Sequence, residues 1–141
     1  MSAEANKEVV RKVIEEAFNR GNVGVLQDLF NPHFTEHQFG LHDTIEGLQS
    51  DIEGLRRAFP DLHLTIEMMA ADEDKVWVLS TARGTNLGGI MGPPNGRSFE
   101  IAVFDLLRLE GGKIVEHWGA PDRFAQMIQL GLLGRRTPEA A

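Results

Sequence analysis

The sequence predicts an α+β domain in which N-terminal helices pack against an antiparallel sheet. Three observations carry this. Residues 4–20 place Val9, Val10, Val13, Ile14, Ala17 and Phe18 at helical spacing between Lys and Glu. From Leu62 the period drops to two, with Leu62, Leu64, Ile66 and Met68 alternating with His63, Thr65 and Glu67. Between Ser98 and Asp122, two long apolar runs meet at Glu110-Gly111-Gly112, the pattern of a hairpin.

In chain order, the first helix stops at Gly21. Asn22 is a candidate cap for a second, short helix whose apolar face is Val23, Leu26, Leu29 and Phe30, with Pro32 just beyond. Residues His33 to Phe39 read as a short extended segment. A third helix begins between Asp43 and Gln49 and runs to about Ala58, with Ile52 and Leu55 inward; Gly47 and Gly54 blur its limits. After the alternating strand, Asp72 to Lys75 make a polar turn and Val76 to Arg83 a second strand. Residues Gly84 to Arg97, rich in Gly and Pro, bulge around the sheet edge. The hairpin of Ser98–Leu109 and Lys113–Gly119 follows, and a helix from Phe124 to Leu133 closes the fold with Phe124, Ile128 and Leu132 at helical spacing.

The length of 141 residues suits one domain, here residues 1–134, with Arg135 to Ala141 as a loose tail. Zero cysteines exclude disulfides and thiolate chemistry. A net charge of −7 without a Lys/Arg cluster argues against a nucleic-acid partner. There is no apolar run long enough for a membrane span and no secretory leader, so a cytoplasmic protein is expected.

The hairpin carries the chemistry. Setting Arg108 against Glu116 makes an opposite-charge cross-strand pair. That register puts Leu107 opposite His117 and Asp105 opposite Gly119, so Asp105, Leu107 and His117 share one face. Val103 and Leu109 lie on that face, while Ala102, Phe104, Leu106 and Trp118 line the other. An Asp and a His on an apolar face are costly to bury unless they pair or work, which points to a small-molecule pocket. A sheet apolar on both faces needs two covers: helices over the pocket, and a second subunit on the far face, hence a homodimer.

Several segments resemble the SnoaL-like polyketide cyclase and ester cyclase family, within the NTF2-like group. They are Ala17-Phe-Asn-Arg-Gly-Asn22, His37, Ala58-Phe-Pro-Asp-Leu62, Gly84-Thr85 and Met91-Gly-Pro-Pro-Asn-Gly96. Further on come Asp105-Leu-Leu-Arg108, Gly112-Lys-Ile-Val-Glu-His-Trp118, Asp122 and Gln129-Leu-Gly131. The resemblance implies an NTF2-like cone, with helices on a curved antiparallel sheet. It also implies a cofactor-free aldol ring closure in which a catalytic Asp takes a proton from an activated methylene and the enolate attacks a carbonyl. In the family that Asp sits two residues after the last-strand His, which here is Gly119. The family's pocket His falls at Asp105.

Asp105 and His117 are therefore the candidate catalytic pair, against the alternative of a core Asp and His satisfied by hydrogen bonds. Asp122 is either a third acid/base at the pocket mouth or the N-cap of the last helix. His37, Leu107, Val103 and Trp118 are candidate substrate contacts. His33, Glu36, His37 and His42 lie close in sequence, but their spacing completes no tetrahedral set, and neither metal nor cofactor is expected. The Gly88–Gly96 stretch lacks the Lys-Ser/Thr of a phosphate loop. Three readings stay open: acid/base chemistry on a small apolar carbonyl compound (cyclisation, isomerisation or lyase), a non-catalytic binding module, and a hydrolase or hydroxylase holding water between Asp105 and His117.

Overall fold

The computed structural model describes residues 2–90 and 92–133. The proposed tail, residues 135–141, lies outside them. The element order is α1 (Ala3–Lys12), a π-helical continuation (Val13–Asn19), a 3₁₀ turn (Val23–Val25), α2 (Leu26–Leu29), β1 (Phe30–Glu36), α3 (Ile45–Ala58), β2 (His63–Asp72), β3 (Lys75–Thr85), β4 (Ser98–Glu110), β5 (Lys113–Pro121) and α4 (Arg123–Gln129). The strands form one sheet in the order β1-β5-β4-β3-β2. All neighbours are antiparallel except β1, which runs parallel to β5. One sheet face and the inner faces of α1, the π-helical turn and α3 share a single core that includes Val10, Ile14, Ile52, Phe59, Val76, Phe99 and Ile114. No helix among the described residues is long and apolar enough to cross a membrane.

Local chemistry explains the helix limits. Ser2 Oγ accepts from the Ala5 amide and Thr44 Oγ1 from the Gly47 amide, capping α1 and α3. Gly47 is tolerated in the first turn of α3 because His42 packs over it; a Cβ there would overlap the His42 Cβ. Asn19 ends the π-helical turn by donating to the Leu64 carbonyl and accepting from its amide, which ties the helix to β2. Arg56 reaches back from α3 to the carbonyls of Phe18 and Asn19. These bonds fix the helical lid over the sheet.

Two bulges decide which side chains face the core. In β2, Ile66 pairs with Ser80 and Met68 with Leu79, so Glu67 is an extra residue. The strict alternation predicted for this strand therefore fails at Met68, which turns outward and is 65% exposed, while Met69 and Ala71 pack on the core. In β5, Ile114 pairs with Leu109 and Glu116 with Arg108, leaving Val115 as the extra residue. An unbulged ladder would place Glu116 opposite Leu107; the bulge brings His117 there instead and turns it inward.

Four other expectations are corrected. Asn22 makes no side-chain cap, and Phe30 begins β1 rather than extending the helix before it. The last helix ends at Gln129, with Gly131 at φ +74° just beyond it. Its inward side chains are Gln126 and Leu130, not Phe124, which is 58% exposed.

The β2 bulge is tested by paired substitutions in denaturant unfolding. Met69→Ser should lower stability by about 1–2 kcal/mol, and Met68→Ser by less than about 0.5. Equal losses at both positions would contradict the register.

Candidate functional site

A cavity of about 760 Å³ opens between the concave face of the sheet and the helices. That volume is in the range of small-molecule sites. Most of its wall is apolar, with Ile14 and Phe18 from the N-terminal helix, Leu48 and Ile52 from α3, and Val103 and Leu107 from β4. The polar wall includes Glu36, Gln38, Asp105, His117, Arg123 and Gln126.

The sheet brings three ionisable groups together at one point of this wall. β1 runs beside β5 with Glu36 paired to His117, and β4 lies on the other side with Leu107 paired to His117. His117 Nδ1 lies 2.6 Å from Glu36 Oε1, and His117 Nε2 lies 2.7 Å from Asp105 Oδ1. Carboxylate oxygens accept, so both ring nitrogens donate and the imidazole carries both protons. Burial pushes the imidazole pKa down, but the bonds and charges of Asp105 and Glu36 outweigh it and lift the value from 6.5 to about 9. The His117 and Glu36 side chains are 13% and 1% exposed, so little water screens the cluster.

The remaining bonds leave the two carboxylates in different positions. Glu36 Oε1 also accepts from the Gln38 amide at 2.9 Å, and Glu36 Oε2 is buried without a partner. Asp105 uses only Oδ1 among the described residues, so its second oxygen is available to the cavity. Such an arrangement can hold a carboxylate against a bound molecule, orient it, and return a proton.

Not every predicted site residue reaches the cavity. Asp105, His117, Leu107 and Val103 line it. His37 and Trp118 do not: they lie on the opposite sheet face, stacked with ring centroids 4.5 Å apart. His37 Nε2 sits 2.9 Å from Glu116 Oε2, and Arg108 Nε donates to Glu116 Oε1 at 2.7 Å. The reason is alternation: Glu36 points inward, so its neighbour His37 points outward, and Trp118 follows His117 in the same way. Asp122 accepts from the Ala125 amide at 3.1 Å and caps α4, outside the cavity lining.

The match to known proteins is broad. The model of the SnoaL-like polyketide cyclases covers residues 8–130. This chain belongs to the SnoaL-like polyketide cyclase family. It is 29% identical to the aklanonic acid methyl ester cyclase DauD of Streptomyces sp. (strain C5), over 88% of this chain and 80% of that protein. Among solved structures, IdmH of Streptomyces antibioticus, a candidate polyketide cyclase, superposes with a TM-score of 0.79 at 30% identity, covering 89% and 98% of the two chains. AclR of Streptomyces galilaeus, a candidate hydroxylase, gives 0.84 at 26% identity, covering 98% and 92%.

Within this SnoaL-like frame, the position that the resemblance assigns to a catalytic carboxylate is Gly119. A Cβ added there would overlap Gln38 Oε1 and lie 2.9 Å from Asp105 Oδ1. A carboxylate oxygen of Asp105, on the neighbouring strand, thus lies beside the space that a side chain at 119 would occupy. Glu36 and Gln38 were not among the predicted site residues. Glu36 was visible only as part of a rejected metal grouping; the parallel pairing of β1 with β5, which aims it at His117, has no local sequence signal.

Two measurements check these assignments. The His117 pKa is raised on folding, so its stabilisation is full below pH 6.5 and is lost as pH rises through about 9. Unfolding free energy should fall by about 3 kcal/mol across that window and lose this slope in His117→Gln; a wild-type profile without the slope would refute the charged ring. Asp122→Ala should cost about 1 kcal/mol of stability as a lost cap while ligand binding is retained, and loss of binding in a stable variant would restore Asp122 to the site.

Proposed function

We propose that this chain catalyses cofactor-independent proton transfer on a small, largely apolar carbonyl compound, closing a ring by an intramolecular aldol reaction. Asp105 is the acid/base, His117 the cation that orients it, and Glu36 the carboxylate that holds His117. The observation that carries the reading is the Asp105 carboxylate, bonded through one oxygen to His117 and exposed to a mostly apolar cavity. Asp105 takes a proton from a methylene activated by neighbouring carbonyls. The enolate carbon attacks a second carbonyl, a C–C bond forms, and the new alkoxide takes the proton back from Asp105. The substrate's own conjugation spreads the enolate charge, and the protein supplies position and exclusion of water.

The membership in a family of polyketide cyclases and the likeness to DauD support this chemistry. The likeness to AclR favours a hydroxylase as the second reading. The direct 2.7 Å bond between Asp105 and His117 leaves no place for a water between them, which weighs for proton transfer at the substrate.

We also infer that the protein forms a homodimer through the outer sheet face. Trp77, Phe104 and Met68 expose 52%, 58% and 65% of their surface there, and Trp118 lies on the same face. That is a large apolar area to leave in water. His37 and Trp118 belong to this interface rather than to the substrate site.

Deuterium incorporation into the active methylene of an aryl β-keto ester tests the acid/base assignment. Wild type should accelerate exchange, and Asp105→Asn should fold normally and lose at least about 100-fold of that acceleration. Unchanged exchange in folded Asp105→Asn would sink the assignment, and binding without any acceleration in wild type would favour a non-catalytic binding module. In light scattering, Phe104→Glu should convert a dimer to a monomer; a wild-type monomer would contradict the interface.

A further inference from the structure

The cavity holds a positive charge that the proton-transfer chemistry does not use. Arg123 opens α4 immediately after β5, and its Nη1 donates to Gln126 Oε1 at 2.6 Å. Gln126 is 2% exposed, and both residues line the cavity. A buried carboxamide thus fixes the guanidinium without neutralising it, where a glutamate would have cancelled the charge. Arg57, in the last turn of α3, lines the same cavity from the helical wall. Neither arginine has a carboxylate partner among the described residues, although Arg11, Arg20, Arg83 and Arg108 all pair with glutamates.

The carboxylates on or beside the cavity make their bonds to groups other than these arginines. Asp105 and Glu36 hold His117, Asp51 accepts from the His42 amide and lies 2.9 Å from its ring, and Asp122 caps α4. Arg123 is itself exposed, so what sets it apart is that the buried Gln126 carboxamide holds its guanidinium on the cavity wall without a counter-charge. Partial burial against the cavity wall holds the Arg123 guanidinium below its usual value, although the side chain still reaches solvent.

We propose that Arg123, assisted by Arg57, selects a substrate that carries a free carboxylate at the end remote from its reacting carbon. The inference rests on the cavity being the substrate site. Position 123 lies four residues along the chain from Gly119, the cross-strand partner of Asp105. The strand ends at Pro121 and the chain turns into α4 at Asp122. Arg123 and Arg57 are exposed while Asp105 is half-buried, so the cations lie on the solvent-facing part of the cavity wall and the acid/base deeper in it. DauD is named for a methyl ester, in which the carboxyl charge is masked. The open guanidinium makes the free acid the form taken by this chain, because its planar fork matches a carboxylate.

Isothermal titration with anthraquinone-2-carboxylate and its methyl ester tests this. Wild type should bind the acid about 10- to 100-fold more tightly than the ester, the range of a charge-assisted bidentate contact. Arg123→Gln should bring the acid down to the ester's affinity, and Arg123→Lys should keep part of the preference. If Arg123→Gln fails to fold, Gln126→Glu, which sets a carboxylate against the same guanidinium, should erase the preference instead. Equal wild-type affinities, or a preference that survives Arg123→Gln or Gln126→Glu, would overturn this inference and leave the Asp105 chemistry standing. Failure of both probes to bind below millimolar concentration would overturn both the substrate cavity and the inference built on it.

Discussion

One buried imidazolium, held between carboxylates on its two neighbouring strands, organises this molecule. His117 donates to Glu36 on β1 and to Asp105 on β4. Each of the three groups would be costly to bury alone. Together they carry a net charge of −1, and the cation satisfies an oxygen on each carboxylate. The cluster also ties the parallel edge strand β1 to the centre of the sheet, on the wall of the cavity.

That geometry depends on a single extra residue. Val115 bulges out of β5, and every side chain after it changes face. Glu116 therefore joins Arg108 and His37 on the outer face, while His117 turns toward the cavity. Gly119 completes the arrangement by leaving room for Gln38 and the Asp105 carboxylate in space that a side chain would fill. The cavity thus keeps a carboxylate close to the place the family resemblance assigns to one, supplied from β4 instead of β5.

The parts of this design that are local in sequence could be read in advance. The helical stripe of residues 4–20, the hairpin, and the Arg108–Glu116 register were all legible, and the register placed Asp105, Leu107 and His117 on one face. The parts that depend on distant pairing were not. Glu36 meets His117 across 81 positions through a parallel contact that leaves no periodic trace. His37 and Trp118 are substrate contacts in the sequence reading, yet alternation sends both outward, Trp118 to the face on which the hairpin register already sets it. The Glu67 bulge broke an alternation that looked clean, because nothing in Ile66-Glu67-Met68 marks an inserted residue. Gln126 and Arg123 escaped notice for a related reason: their meaning lies in the missing carboxylate around them, which only the assembled cavity reveals.

The protonation of His117 decides the account, and ¹⁵N NMR of its two ring nitrogens reads it directly. Both nitrogens should bear protons at pH 7 and keep them until the pH approaches about 9. A neutral ring with one bare nitrogen at pH 7 would contradict it: a neutral imidazole would leave one of the flanking carboxylates holding the proton, and Asp105 without the cation that orients it.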